Sequence, residues 1–422
     1  MIITIGIVMG LVSGLLPGVG NLTLMMLLFP FLNYFDPIDL LVIYISMASI
    51  SQYIGSIPAI CFGIPGEPSS LPAVSESKNL KNSNEVAQAI FGSAFGSFIG
   101  GVLILCACLL LSDYIYLIKY FYSTYLISAL LILTAIVLCF TATNTLIINF
   151  IMLFVGIGLG LVGYNKTFNI DILSFDSMYL FSGLPLEVVL VSLFAIPQVL
   201  SAFSTRDLTF HMIESVKLYT VRPINTIIST IIGFFAGLVP GLTTELSSLM
   251  AYSLATIRRF SPIDKIIASE TANNAGAFSQ TLPLLIFGIP LIGSQALLLT
   301  LLEQKGFFIN FIDFSTLMPT LSISLLIVNA FGLFIAWIGA KYLLYVYAIN
   351  IKTLLSFILV LLFTAICYSG YANYTLTYYI VVFVLLLPFS IYLKRYNTMP
   401  LVYGFITHDI IIDNINRLFY LL

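Results

Sequence analysis

Charged residues are scarce in this 422-residue sequence, and their scarcity decides the class of protein. Only 8% of the residues are Asp, Glu, Lys or Arg, whereas 60% are hydrophobic. A water-soluble domain of this length could not cover its surface with so few charges, so lipid must be its main solvent. The formal net charge of −2 offers no basic surface for nucleic acid, and no nucleic-acid partner is expected.

Histidine and cysteine are also scarce, with two and five residues. The cysteines lie in apolar segments without the spacing of metal ligands, so they are interpreted as small buried thiols. The sequence contains no cluster of His, Cys and Glu at metal spacing and no nucleophile motif in its required context. A membrane enzyme is therefore disfavoured, and no cofactor is expected.

Long apolar runs that do not alternate with polar residues predict transmembrane helices and exclude a β-barrel. The expected fold is an all-α polytopic membrane protein with roughly 10–14 membrane segments. The longest polar stretch, residues 69–88, is interpreted as a solvated loop. Gly and Pro interrupt several apolar runs, which predicts broken or re-entrant helices.

Three motifs occur twice in the same order. Phe62-Gly63-Ile64-Pro65 recurs at 287–290, the turn 35–39 recurs at 260–264, and the segment 10–18 recurs at 233–241. The spacing between the copies is nearly constant, which indicates an internal duplication. The expected division is a first repeat over 1–205, a cytoplasmic linker over 206–222 and a second repeat over 223–422.

Charge indicates how the two copies face the membrane. The turn 35–39 carries Asp36 and Asp39, whereas the equivalent turn is flanked by Arg258, Arg259 and Lys265. Basic loops favour the cytoplasm, so equivalent turns of opposite character are expected on opposite sides. The repeats are therefore predicted to have inverted topology.

The ordered motifs resemble a known family, the large membrane subunit of tripartite tricarboxylate transporters. The resemblance covers essentially the whole chain. It lies in Pro17-Gly18-Val19-Gly20, Gly55-Ser56, Gly63-Ile64-Pro65-Gly66, Leu184-Pro185-Leu186-Glu187, Pro240-Gly241, the segment 269–275, Phe287-Gly288-Ile289-Pro290, Met399-Pro400 and the segment 414–417.

This resemblance implies a multi-pass secondary active transporter of the cytoplasmic (inner) membrane. It would import carboxylate anions, such as citrate or related di- and monocarboxylates, coupled to a gradient of Na⁺ or H⁺. The implied partners are a periplasmic solute-binding protein and a small membrane subunit, and a homo-oligomer is left open. A passive anion channel, or an exporter of organic acids without a binding protein, is the alternative.

Residues at the helix breaks are predicted to bind the substrate. Helix N-termini offer free N–H groups and partial positive charge to a carboxylate where buried Lys and Arg are scarce. For each single Ser, Thr or Asn, helix capping or interhelical bonding is the competing interpretation. The predicted residues are Pro17, Gly18, Asn21, Thr23, Ser56, Pro65, Gly66, Pro240, Gly241, Thr243, Thr244, Asn273 and Asn274.

Three carboxylates are predicted to couple transport to an ion, namely Glu67, Glu245 and Glu270. For Glu67, which borders the polar stretch, a position at the membrane interface is the competing interpretation. Oxygen ligands of this kind suit Na⁺, whereas a shielded carboxyl suits H⁺. No catalytic residue and no metal other than Na⁺ is expected.

The opposite orientation of the two turns is directly testable. We expect a cysteine placed in 35–39 to react with a membrane-impermeant thiol reagent from the periplasm, and one in 258–265 to react only from the cytoplasm, because the charges change sign. Labelling of intact cells and of inverted vesicles measures this. Reaction of both turns from one face would contradict the inverted topology.

Overall fold

Helices make up nearly all of the described structure. The computed structural model describes residues 1–16, 19–63, 68–114, 144–165, 170–202, 216–238, 244–309, 314–345, 351–372 and 374–419, together with 129, 132–133, 135–136 and 139–140.

The described helices of the first half are α1 (Ile2–Leu15), α2 (Asn21–Leu32), α3 (Pro37–Phe62), α4 (Leu71–Ser77), α5 (Ser83–Leu111), α6 (Leu146–Gly160), α7 (Met178–Phe181), α8 (Leu186–Leu190) and α9 (Ile196–Ala202). Those of the second half are α10 (Pro223–Leu238), α11 (Thr244–Ile257), α12 (Pro262–Ser279), α13 (Leu282–Phe287), α14 (Gly293–Gln304), α15 (Phe314–Phe334), α16 (Ala340–Leu343), α17 (Ile351–Ala372), α18 (Leu376–Leu393) and α19 (Met399–Phe419).

Short irregular elements join some of these helices. Two π-helical segments, Val191–Ala195 and Ile335–Gly339, continue α8 into α9 and α15 into α16. A 3₁₀ turn, Pro68–Ser70, precedes α4. The strands described are Gly163–Asn165 and Ile170–Ile172, which pair antiparallel with Tyr164 opposite Asp171.

Five of the described helices are long and apolar enough to cross a membrane: Pro37–Phe62, Ser83–Leu110, Phe314–Leu343, Leu355–Ala372 and Leu376–Leu393. Shorter apolar helices, including α1, α2, α6 and α10, accompany them. In lipid, a helix satisfies its backbone groups within the segment, which explains why the apolar runs fold this way. The all-α membrane fold is thus confirmed.

The polar stretch 69–88 is a solvated loop only over residues 78–82, which are largely exposed, so that interpretation is wrong for the rest of the stretch. The rest forms the 3₁₀ turn, helix α4 and the first turns of α5. Ser69, Ser70 and Glu76 are buried against other helices. Hydrogen bonds and an ion pair satisfy the Glu76 carboxylate, and this allows a polar segment to pack inside the protein.

Helices α1 and α3 pack directly on each other through glycine. A Cβ on Gly10 would lie 2.6 Å from the Cβ of Ile50 and 2.7 Å from the carbonyl oxygen of Met47. One turn later, a Cβ on Gly14 would lie 2.8 Å from the carbonyl oxygen of Ser51. The two backbones are therefore closer than any side chain larger than hydrogen permits.

Helices α10 and α12 repeat this packing. A Cβ on Gly233 would lie 2.4 Å from the carbonyl oxygen of Ala272 and 2.7 Å from the Cβ of Ala275. A Cβ on Gly237 would lie 2.4 Å from the carbonyl oxygen of Gly276. These contacts are equivalent to those of the first pair when 10–18 is aligned with 233–241 and 62–65 with 287–290. The sequence repeat is therefore also a repeat of helix packing.

Helices of one half also pack on helices of the other. Helix α3 contacts α15, and α12 contacts α5. The helix that follows each Phe-Gly-Ile-Pro motif also packs on the opposite half of the chain. Helix α4 contacts α11 and α12, and α14 contacts α2 and α3. The inverted orientation of the copies and the boundaries 1–205, 206–222 and 223–422 stay predictions.

The close packing of α10 on α12 should not tolerate a methyl group. We expect Gly233→Ala to destabilise the protein by about 1–3 kcal/mol, because the new Cβ overlaps backbone atoms of α12. The control is Gly158→Ala in α6, where a Cβ would meet nothing within 4 Å. Thermal unfolding of the purified variants measures both. Equal melting temperatures for the two variants would contradict the close packing.

Candidate functional site

Both Phe-Gly-Ile-Pro motifs end a helix in the same way. Gly63 and Gly288 adopt positive φ angles of 66° and 70°, the left-handed conformation that favours glycine. The Gly63 N–H donates to Ala59 O at 3.2 Å, and the Gly288 N–H donates to Leu284 O at 2.8 Å. The chain therefore stops being helical at equivalent points. Of the predicted residues beyond the first stop, Pro65, Gly66 and Glu67 lie outside the described residues.

The two Pro-Gly pairs, called the tips, lie in the chain between α1 and α2 and between α10 and α11, but Pro17, Gly18, Pro240, Gly241 and Thr243 are outside the described residues. Their roles in substrate binding stay predictions.

The residues that follow the tips are described. Asn21 begins α2, and its Oδ1 accepts a hydrogen bond from Ser13 Oγ at 2.9 Å, which ties α2 to α1. Thr23 is fully buried in α2. Thr244 begins α11 at the position equivalent to Asn21, and its carbonyl oxygen accepts from Ser247 Oγ at 2.7 Å. Asn21 therefore serves an interhelical contact in this structure.

The other predicted polar residues lie on α3 and α12. Ser56 Oγ donates to Tyr53 O at 2.8 Å, within its own helix. Asn274 Nδ2 donates to Glu270 O at 3.1 Å, also within its helix. Asn273 and Glu270 are buried in α12. The Glu245 side chain is partly buried in the first turn of α11.

A cavity opens where α3, α5, α12 and α15 meet, two helices from each half of the chain. The empty space there, including its open mouth, is about 420 Å³. Asn274 is the predicted substrate-binding residue that lines it. The lining comprises Ile45, Ala48, Ser49, Gln52, Gly101, Asn274, Ala277, Phe278, Thr281, Leu325 and Asn329.

The cavity lies on the contact between the two copies of the repeat. Ser49 and Asn274 occupy equivalent positions in the two copies, and both line the cavity. Gln52 and Ala277 are a second equivalent pair. In transporters built from repeats, the substrate binds at this kind of contact. Aligning the second Phe-Gly-Ile-Pro motif on the first would have identified Ser49 from the sequence, as the counterpart of Asn274.

Sequence reasoning also missed Gln52, Thr281 and Asn329. Asn329 is held in place, since its Oδ1 accepts from Tyr53 OH at 2.9 Å and its Nδ2 donates to Leu325 O at 2.9 Å. No local motif marks α15, so only the tertiary contact of α15 with α3 identifies Asn329. The polar lining residues are amides and hydroxyls, which bind carboxylate oxygens without a buried cation.

A second polar cluster surrounds Glu76 of α4. Lys265 Nζ lies 2.9 Å from Glu76 Oε1, and Tyr252 OH donates to the same oxygen at 2.9 Å. Asn79 Nδ2 donates to Oε2 at 2.8 Å. Burial alone would raise the pKa of Glu76, but the hydrogen bonds from Asn79, Lys265 and Tyr252 together lower it below its ordinary value. The carboxylate therefore joins α4 to α11 and α12 as an anion.

The equivalent cluster in the other copy is apolar. The alignment of the two copies places Phe29, Leu40 and Leu301 at the positions of Tyr252, Lys265 and Glu76. These three are at most 5% exposed and belong to one hydrophobic cluster. The contact of α4 with α11 and α12 is therefore polar, whereas the equivalent contact of α14 with α2 and α3 is apolar.

Apolar spans, paired helix stops and a cavity with several amide and hydroxyl groups between the two halves define a polytopic membrane protein of the transporter class. The chain belongs to the tripartite tricarboxylate transporter TctA family, which it matches over residues 1–403. This confirms the resemblance drawn from the motifs.

Two relatives are similar over much of the chain. An uncharacterised 52.8 kDa protein of Agrobacterium vitis, described as lying in the TAR-I ttuC' 3' region, is 26% identical over 316 residues, 72% of this chain and 63% of that protein. An uncharacterised protein of Methanocaldococcus jannaschii is 24% identical over 400 residues, 93% of each chain. The chain thus spans less than two thirds of the A. vitis protein. No solved structure matches it.

Substitution of Asn274 tests whether its side chain binds substrate or caps its own helix. If its amide contacts substrate, we expect Asn274→Ala to weaken citrate or succinate binding by about 1–3 kcal/mol while the melting temperature changes little. Calorimetric titration and thermal unfolding of the same preparation measure both.

The matched control is Ser93→Ala on α5, a buried serine outside the cavity whose Oγ donates to Ile90 O. Retained affinity with a lower melting temperature in Asn274→Ala would show that Asn274 is structural.

Proposed function

We propose that this protein is the membrane subunit of a secondary active transporter that imports carboxylate anions. The single observation that carries the proposal is the cavity between the two halves, lined at equivalent positions by Ser49 and Asn274. Family membership supports transport of tricarboxylates such as citrate. The substrate class proposed is therefore citrate or related di- and monocarboxylates.

The proposed mechanism is alternating access to this cavity. A carboxylate would be held by neutral donors such as the amides of Gln52 and Asn274, together with the partial positive charge of helix N-termini near the tips. Neutral donors avoid the large cost of an unpaired cation in the membrane when the site is empty. The helices after each motif, α4 and α14, would open and close the two ends.

The proposed partners follow from the family. Tripartite transporters include a binding protein and a small membrane subunit, so we propose that a periplasmic solute-binding protein delivers substrate and that a small membrane subunit accompanies this chain. The proposed location is the cytoplasmic (inner) membrane. The proposed driving force is a gradient of Na⁺ or H⁺.

Uptake into proteoliposomes tests the proposal. We expect radiolabelled citrate or a smaller carboxylate to accumulate above the external concentration when an inward Na⁺ or H⁺ gradient is imposed, because coupling performs work on the substrate. The measurement compares both gradients, with and without the small subunit and a loaded binding protein.

Equilibration without accumulation would identify a passive channel and contradict the proposal. Full-rate uptake by the subunit alone, unaffected by a binding protein, would contradict the proposed partners.

A further inference from the structure

Three buried side-chain oxygens near the first helix stop have no hydrogen-bond partner among the described residues. They are Ser69 Oγ, Ser248 Oγ and Asn273 Oδ1. Their residues are 1%, 0% and 2% exposed. A buried polar atom without a partner is costly, so native proteins leave few of them. The lone pairs of these three oxygens are therefore open to a ligand.

The three residues lie on elements that pack together. Ser69 is in the 3₁₀ turn Pro68–Ser70, which contacts α3, α11 and α12, and α11 contacts α12. The hydrogen bonds to Glu76 show which faces of α11 and α12 point toward the 3₁₀ turn and α4. Ser248 lies one helical turn before Tyr252, and Asn273 lies two turns after Lys265. Both Tyr252 and Lys265 reach Glu76, which follows the 3₁₀ turn in the chain.

The chemistry of these oxygens favours a cation. Amide Oδ1 atoms only accept hydrogen bonds, and hydroxyl oxygens offer lone pairs to a hard cation. Helix α3 ends at Phe62 and contacts the 3₁₀ turn, so its carboxyl end adds partial negative charge. Glu245, in the first turn of α11, lies three residues before Ser248 and therefore on the same side of the helix.

We propose that Ser69, Ser248 and Asn273 bind Na⁺ and that Na⁺ is the coupling ion; the coupling role rests on the proposed function. Hydroxyls and an amide do not titrate in the physiological range, so these three residues suit Na⁺ and not H⁺. Helix carboxyl ends serve as Na⁺ ligands in transporters with broken helices.

The site occurs in one copy of the repeat. The alignment of the copies places Ser294, Met25 and Ala48 at the equivalent positions. Ser294 Oγ is hydrogen-bonded to Tyr44 OH at 3.1 Å, and Met25 and Ala48 have no side-chain oxygen. The other copy of the repeat therefore has no equivalent trio of unpartnered oxygens at these three described positions.

Na⁺ binding by the purified full-length protein tests the proposal without substrate. In a thermal-shift titration with NaCl replacing KCl at constant ionic strength, we expect Na⁺ to raise the melting temperature of the wild type. Asn273→Ala, Ser69→Ala and Ser248→Ala should each weaken Na⁺ binding by about tenfold or more, because each removes a ligand. Direct ²²Na⁺ binding gives the same affinities independently of unfolding.

The matched control is Ser322→Ala on α15, which removes a buried serine hydroxyl that also lacks a partner among the described residues. Its Na⁺ affinity should equal that of the wild type. Unchanged Na⁺ affinity in all three site variants, or no response of the wild type to Na⁺, would overturn the site and assign these oxygens to ordered water.

Uptake measurements distinguish a failure of the Na⁺ site from a failure of the proposed transport function. Na⁺ binding that depends on the trio, with no carboxylate uptake under any gradient, would support the site and sink the transport function. Carboxylate uptake driven by H⁺ alone, with no Na⁺ binding, would support the transport function and contradict the Na⁺ site.

Discussion

Two helix pairs packed backbone to backbone hold the centre of this protein. Gly10 and Gly14 bring α1 onto α3, and Gly233 and Gly237 bring α10 onto α12. Helices α3 and α12 also carry Ser49 and Asn274 in the cavity; α3 ends at the first helix stop, and α12 is followed by α13, which ends at the second. Since glycine removes side chains from these contacts, α3 and α12 are fixed by close van der Waals packing. This packing therefore sets the positions of the cavity and of the two helix stops.

The two helix stops follow helices that are held in place by this glycine packing. A helix that ends in an apolar environment exposes carbonyl groups, and at both stops the glycine satisfies one of them, because the N–H groups of Gly63 and Gly288 donate to Ala59 O and Leu284 O. The second copy is interrupted once more: α12 ends at Ser279 and α13 resumes at Leu282, where the first copy has the continuous α3. Pro283 in the second copy is equivalent to Pro58 in the first, so the proline alone does not cause the break.

The two copies share a backbone plan and differ in side-chain chemistry. Around α4 the contact between halves contains an ion pair and hydrogen bonds, whereas around α14 the equivalent residues are Phe29, Leu40 and Leu301. Separating the Glu76–Lys265 ion pair returns two charges to water, whereas separating apolar surfaces exposes them to water at a cost of about 25 cal/mol per Å². The proposed Na⁺ site lies beside the polar contact. The two copies thus share their helix packing, whereas the side chains at the contact between halves differ between them.

The sequence by itself determined the membrane class, the helical fold, the repeated motifs and the family, because composition and spacing are local properties that lipid enforces on every segment. It also singled out Asn274, since a polar residue in an apolar run is conspicuous. Only the tertiary structure decided that Ser49, Gln52, Thr281 and Asn329 share the cavity with it, and that the polar stretch 69–88 is partly buried. Those facts depend on which helix faces meet, and contacts between residues from opposite halves of the chain leave no signal in local sequence.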